Sequence, residues 1–183
     1  MGTPVMLLTV GHSNRPLEAL LRLLRIHGVS RLFDVRRIPR SGRHPHFDRD
    51  RLAAALSGAG IGYDHVPDLG GLRSPRPGSP NTAWREPWFR GYADHMQSPA
   101  FGRALARVIE GARRERIALM CAESAPRNCH RSLIADALVA RGHAVEHILD
   151  ERRRVPHQLH PAARITAGRV IYPSTQMNLE VET

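Results

Sequence analysis

The densest reactive chemistry of the chain lies in the segment Met120-Cys121-Ala122-Glu123-Ser124-Ala125-Pro126-Arg127-Asn128-Cys129-His130-Arg131. Cys121 closes an apolar run and precedes a helical pattern, so free backbone N–H groups face its sulfur. Such a position lowers a thiol's pKa and attracts anions. Cys121 is therefore a candidate nucleophile or redox thiol, with Glu123 or His130 for acid–base work and Arg131 for an anionic substrate. Cys121 and Arg127 also have the C-x5-R spacing of phosphatases and rhodaneses. Glu123 and Pro126 inside that spacing obstruct a phosphate cradle, because a carboxylate there repels the anion. The same groups read as metal ligands: Cys121, Glu123, Cys129 and His130 suit zinc or iron. Against that reading, adjacent Cys129 and His130 would point to different sides of a helix. Plain packing is the third account, with both cysteines buried and Arg131 paired to Glu123.

Two further loops carry polar chemistry after apolar runs, Gly11-His12-Ser13-Asn14 and Asp34-Val35-Arg36-Arg37-Ile38-Pro39. His12 offers acid–base function, or with Asn14 caps a helix; Ser13 and Asn14 would orient a substrate. Asp34 would anchor Arg131 or His12, or act as a general base. Arg36 and Arg37 present forked donors suited to phosphate or carboxylate, one of them a plain surface charge. Gly70-Gly71 permits a tight turn or a close approach. Trp84, Trp88 and Tyr92 stack on a ring or anchor their loop.

Alternating apolar runs and amphipathic stretches predict an α/β fold, a mostly parallel sheet flanked by helices in one layered domain. Strands are expected at 5–10, 31–36, 62–66, 117–121 and 145–149. Helices are expected at 16–27, at 48–58 capped by Asp48, at 98–114, and from the cysteine loop to Arg141. Residues 1–150 form the domain, with a long loop at 67–97 as a lid or binding loop. Residues 151–183 read as an extension packing on or trailing from it, with the last ten frayed. In parallel sheets, loops leaving strand C-termini converge on a ligand crevice. If the strands at 5–10, 31–36 and 117–121 are neighbours, their three polar loops share one pocket.

The 183 residues are 42% hydrophobic, enough to bury a core. No apolar run reaches the roughly 20 residues that cross a bilayer. The short apolar stretch at 3–10 reads better as a buried strand than as a signal peptide, so the two cysteines are expected in a reducing cytoplasm and in reactive roles. The formal charge is +10, and all 27 basic residues are arginine. The arginines are dispersed, so they favour acidic partners without selecting nucleic acid. No single-strand or helix-turn-helix motif supports a nucleic-acid-binding module.

Taken together, Gly11-His12-Ser13-Asn14, Asp34-Val35-Arg36 with Pro39 and Ser41, Leu69-Gly70-Gly71, and Cys121-Ala122-Glu123 with Cys129-His130-Arg131 resemble a known bacterial family. It is called domain of unknown function 488. The resemblance covers about residues 7–150 and implies a small cytoplasmic α/β protein. It also implies that Cys121, Glu123, Cys129, His130 and Arg131 belong to the family's signature, which leaves Arg127 outside it. The leading expectation is an enzyme with a cysteine-centred anion site for a phosphorylated or nucleotide-like substrate. A metal-binding protein and a nucleic-acid-binding module are the alternatives.

Overall fold

A computed structural model describes residues 3–174. The run Met6–Gly11 forms β1, and Ile117–Cys121, buried throughout, forms β4. Arg31–Asp34 is β2, Gly62–His65 is β3, Ala144–Ile148 is β5 and Arg154–Pro156 is β6. They pair in the order β3-β2-β4-β1-β5-β6, parallel except for antiparallel β6. A separate hairpin joins β7 (Arg164–Thr166) to β8 (Arg169–Ile171).

Among the described residues, five α-helices flank the sheet. Leu20, Leu23 and Leu24 of α1 (Leu17–Ile26) and Leu52 and Leu56 of α2 (Arg49–Gly58) bury against Leu8, Val10, Ala118 and Met120. On the opposite face α3 (Pro87–His95), α4 (Pro99–Arg114) and α5 (Arg131–Val139) cover Leu7, Phe33, Leu119 and Cys121. The period-two alternation of a strand sorts these side chains, and it sends Cys121 to the α5 face.

Several expected boundaries moved. Helix α1 begins at Leu17 with Pro16 ahead of it, and no side chain caps it. Asp48 stands before α2 without capping it; its carboxylate instead accepts the Ser41 N–H at 2.8 Å. The stretch expected as a long loop at 67–97 contains α3, whose Phe89 and Tyr92 enter the core. The irregular part is fastened by Asp94, which accepts Asn81 Nδ2 at 2.8 Å and Ser79 Oγ at 2.7 Å. Of the extension after residue 150, β6 joins the sheet edge and Tyr172 is fully buried, its hydroxyl on Asp136 at 2.7 Å. The fraying expected for the last ten residues lies, Ser174 apart, outside the described residues.

Candidate functional site

Strands β2, β4 and β1 are neighbours, so the loops that leave Asp34, Cys121 and Gly11 emerge side by side. From β1 the chain passes to α1 on one face, and from β4 it passes to α5 on the other. Diverging connections of this kind open a crevice at the strand ends. Pairing runs on past the strands, with the His12 N–H donating to the Cys121 carbonyl at 2.9 Å and Ser13 N–H to Ala122 at 2.8 Å. Only glycine fits at position 11, because a Cβ there would overlap the Glu123 carbonyl.

Cys129 is extended and His130 precedes α5, so helical periodicity does not separate their side chains. This removes the objection that the two would diverge. Ligand-type atoms of Cys121, Cys129 and His130 lie within 4.8 Å of one another, all buried. Each sulfur is 3.8 Å from His130 Nδ1. His130 Nε2 is 3.0 Å from the Val35 carbonyl oxygen. A carbonyl only accepts, so Nε2 carries the proton and Nδ1 presents its lone pair to the sulfurs.

The thiols titrate as a pair. Its hydrogen bond with Cys129, then burial, holds the Cys121 thiol well above the usual range. Burial opposes ionisation of Cys129, but the hydrogen bond with Cys121 and the neighbouring Arg131 guanidinium bring it well below that range. Of the two buried cysteines, Cys129 is the one whose ionisation its neighbours favour.

Arg131 is fully buried. Its Nη2 donates to the Glu123 carbonyl at 2.6 Å and to Ser124 at 3.3 Å, so it holds the loop backbone and not the Glu123 carboxylate. Its Nη1 reaches Thr9 Oγ1 at 3.4 Å, and its Nε finds no partner among the described residues.

A cavity of about 710 Å³ opens above the sulfurs, with His12, Arg36, Arg37, Arg40, Glu123 and Trp88 on its walls. Asp34, fully buried, grips Arg36 through Nε at 2.8 Å and Nη2 at 2.6 Å. It also accepts the Tyr63 hydroxyl at 2.8 Å; burial and then that carboxylate raise the phenol's pKa. With its oxygens occupied, Asp34 positions Arg36; it does not reach Arg131. Burial lowers His12 to about 4, so its ring is neutral near pH 7. His12 Nδ1 bonds the Ser13 carbonyl at 2.8 Å, which leaves Nε2 as an acceptor facing Arg36 Nη1 at 3.5 Å. Arg37 and Arg40 have no carboxylate partner among the described residues.

Of the residues singled out from sequence, Cys121, Glu123, His12, Arg36, Cys129 and His130 come together around this cavity. Asp34 and Arg131 lie beneath it, while Ser13 and Asn14 form a turn, Ser13 with φ of 50°, away from it. Trp88 faces the cavity, whereas Trp84 and Tyr92 anchor the chain, Tyr92 through its hydroxyl on the Leu69 carbonyl at 2.8 Å. Sequence reasoning missed Arg40, which the Arg-, Pro- and His-rich run after β2 signals in outline. It also missed a buried chain of hydrogen bonds. Thr9 Oγ1 meets His147 Nδ1 at 2.7 Å, His147 Nε2 meets His157 Nδ1 at 2.9 Å, and His157 Nε2 meets Asp136 at 2.8 Å. No local spacing marks residues so far apart in the chain.

Fold and crevice together define an α/β protein with a strand-end site built of sulfur, imidazole and guanidinium groups. The chain belongs to the family described as Domain of unknown function DUF488, which it matches over residues 16–138. No curated protein and no solved structure matches it. No helix among the described residues is long and apolar enough to cross a membrane.

Proposed function

We propose that this protein is an enzyme that takes a small anionic substrate, phosphorylated or nucleotide-like, into the cavity above Cys121. One observation carries the reading: a buried Cys121, Cys129 and His130 floor lies under walls that hold Arg36, Arg37 and Arg40. A cation without a carboxylate partner at a half-enclosed site attracts an anion, and forked guanidinium donors match phosphate oxygens. Glu123 is the one carboxylate on those walls. It would take or give a proton at the reacting atom. His12, neutral, would accept a hydrogen bond through Nε2, and Trp88 offers a ring face at the rim. The reacting centre is the sulfur–imidazole floor.

The test is turnover and calorimetric binding of a panel of phosphomonoesters and nucleotides. Arg37→Gln/Arg40→Gln is expected to weaken binding about tenfold or more, the scale of one or two charge-assisted hydrogen bonds. Cys121→Ser is expected to abolish turnover while the Arg variant keeps its fold. Binding and turnover unchanged in Cys121→Ser would overturn the reading.

A further inference from the structure

We infer that Cys121, Cys129 and His130 form a three-ligand site for a zinc-class divalent metal, with the fourth position turned to the cavity. This rests on the reading above for its catalytic meaning, but the donor geometry stands by itself.

Three features make the set a ligand set and not merely a cluster. First, the spacing fits. Zinc–sulfur bonds of about 2.3 Å and zinc–nitrogen bonds of about 2.0 Å at tetrahedral angles put sulfur and nitrogen ligands about 3.5 Å apart. Here both sulfurs are 3.8 Å from His130 Nδ1. Second, the imidazole is already oriented as metal-bound histidines are. Its far nitrogen donates to the Val35 carbonyl, which fixes the tautomer and frees Nδ1 as the donor atom. Cys129 is held likewise, its sulfur accepting the Arg131 backbone N–H at 3.5 Å. Third, the chain opposite leaves room. Gly71 faces His130 Nδ1, and a Cβ at that position would stand 3.0 Å from the nitrogen, in the space beside the donor atom.

The Glu123 carboxylate is not part of the set, although its residue is on the cavity wall. Sequence reasoning proposed it as the fourth ligand. Two thiolates and one imidazole, with no fourth protein ligand among the described residues, are the pattern of a catalytic site, where water or substrate completes the shell. All three ligands line the cavity, so that position faces the arginine walls. Two thiolates neutralise a divalent ion, so Arg37 and Arg40 remain available for a substrate anion. When bound, such an ion supplies a Lewis acid or an activated water at neutral pH. Glu123 would then handle that water's proton. Soft sulfur donors with one imidazole favour zinc over magnesium, calcium or manganese.

The test uses the full chain purified under reducing conditions without added metal, stripped with a chelator and titrated with Zn²⁺ alone. Native mass spectrometry is expected to find one zinc per chain. Co²⁺ in its place is expected to give thiolate charge-transfer absorption and the intense visible bands of a tetrahedral site. Cys129→Ala and His130→Ala are expected to lose the ion, and Arg37→Gln/Arg40→Gln to keep it while losing anion binding. Because ligand variants can misfold, the Co²⁺ spectrum of the unaltered chain decides. An octahedral or absent spectrum, with both thiols alkylated at equal rates with and without Zn²⁺, overturns the metal site. Phosphate-ester binding that persists in that outcome leaves the proposed function standing. Stoichiometric zinc without any anion binding sinks the function and keeps the metal.

Discussion

The Val35 carbonyl, one residue past β2, receives the Nε2–H of His130 at 3.0 Å, and so decides which histidine nitrogen meets the sulfurs of Cys121 and Cys129. The backbone of one strand end thereby sets the chemistry of a loop that belongs to another. Nitrogen chemical shifts of His130 are expected to show the Nε2–H tautomer in the folded chain. The Nδ1–H tautomer would contradict this arrangement.

Beneath the cavity, Asp34 and Arg36 form a buried pair, with Asp34 at 0% and Arg36 at 6% exposure. Removing one partner strands the other charge. Asp34→Asn is expected to lower unfolding free energy by about 3–5 kcal/mol, as for other broken buried pairs. Tyr63→Phe removes one hydrogen bond to the same carboxylate and is expected to cost about 1 kcal/mol. Urea unfolding of the two variants checks the order. Equal effects would mean that Asp34 is not holding a charge.

Arg131 ties the reactive loop down through the Glu123 and Ser124 carbonyls. Both bonds come from Nη2, and lysine, with a single nitrogen, cannot also keep the Nη1 contact to Thr9 Oγ1. Arg131→Lys is expected to lose about 1.5–3 kcal/mol, the size of hydrogen bonds from a charged group. Amide exchange of residues 122–128 is expected to accelerate more than that of β4. Unchanged exchange in that loop would assign Arg131 to packing alone.

Acid sensitivity is expected from His147. Burial, then His157 and Arg131, lower it to about 3, with Cys129 opposing; Asp136 anchors His157 from the other side. The unfolded chain binds this proton near pH 6.5, whereas the folded chain does not. Stability from the neutral ring is thus fully present above about pH 6.5 and is lost as pH falls toward 3. His147→Gln is expected to flatten the dependence of urea midpoints between pH 7 and 5 by up to one proton. An unaltered slope would contradict the assignment.

Much of this was legible in the sequence, because apolar runs such as Ile117–Cys121 and the Leu20, Leu24 spacing report strand and helix directly. Density of reactive types at three strand ends located the site before any geometry. What escaped depends on contacts across the chain. Helix α3 hides in a Gly- and Pro-rich stretch, where Gly91 is chosen for close approach, since a Cβ there would overlap the Arg73 carbonyl. Asp34 faced several candidate partners in sequence, and only folding selects Arg36. The sequence pattern runs the helix back through Cys129 and His130, whereas it starts at Arg131, so convergent donors look divergent in sequence. The Asp136–His157–His147–Thr9 chain spans four separate segments and has no local signature.

The most direct test of the central claim is a crystal structure of the full chain grown with a saturating nucleoside monophosphate. The account expects its phosphate within hydrogen-bond reach of Arg37 or Arg40, above Cys121, Cys129 and His130. Density for the nucleotide elsewhere on the surface, with this cavity empty, would contradict it.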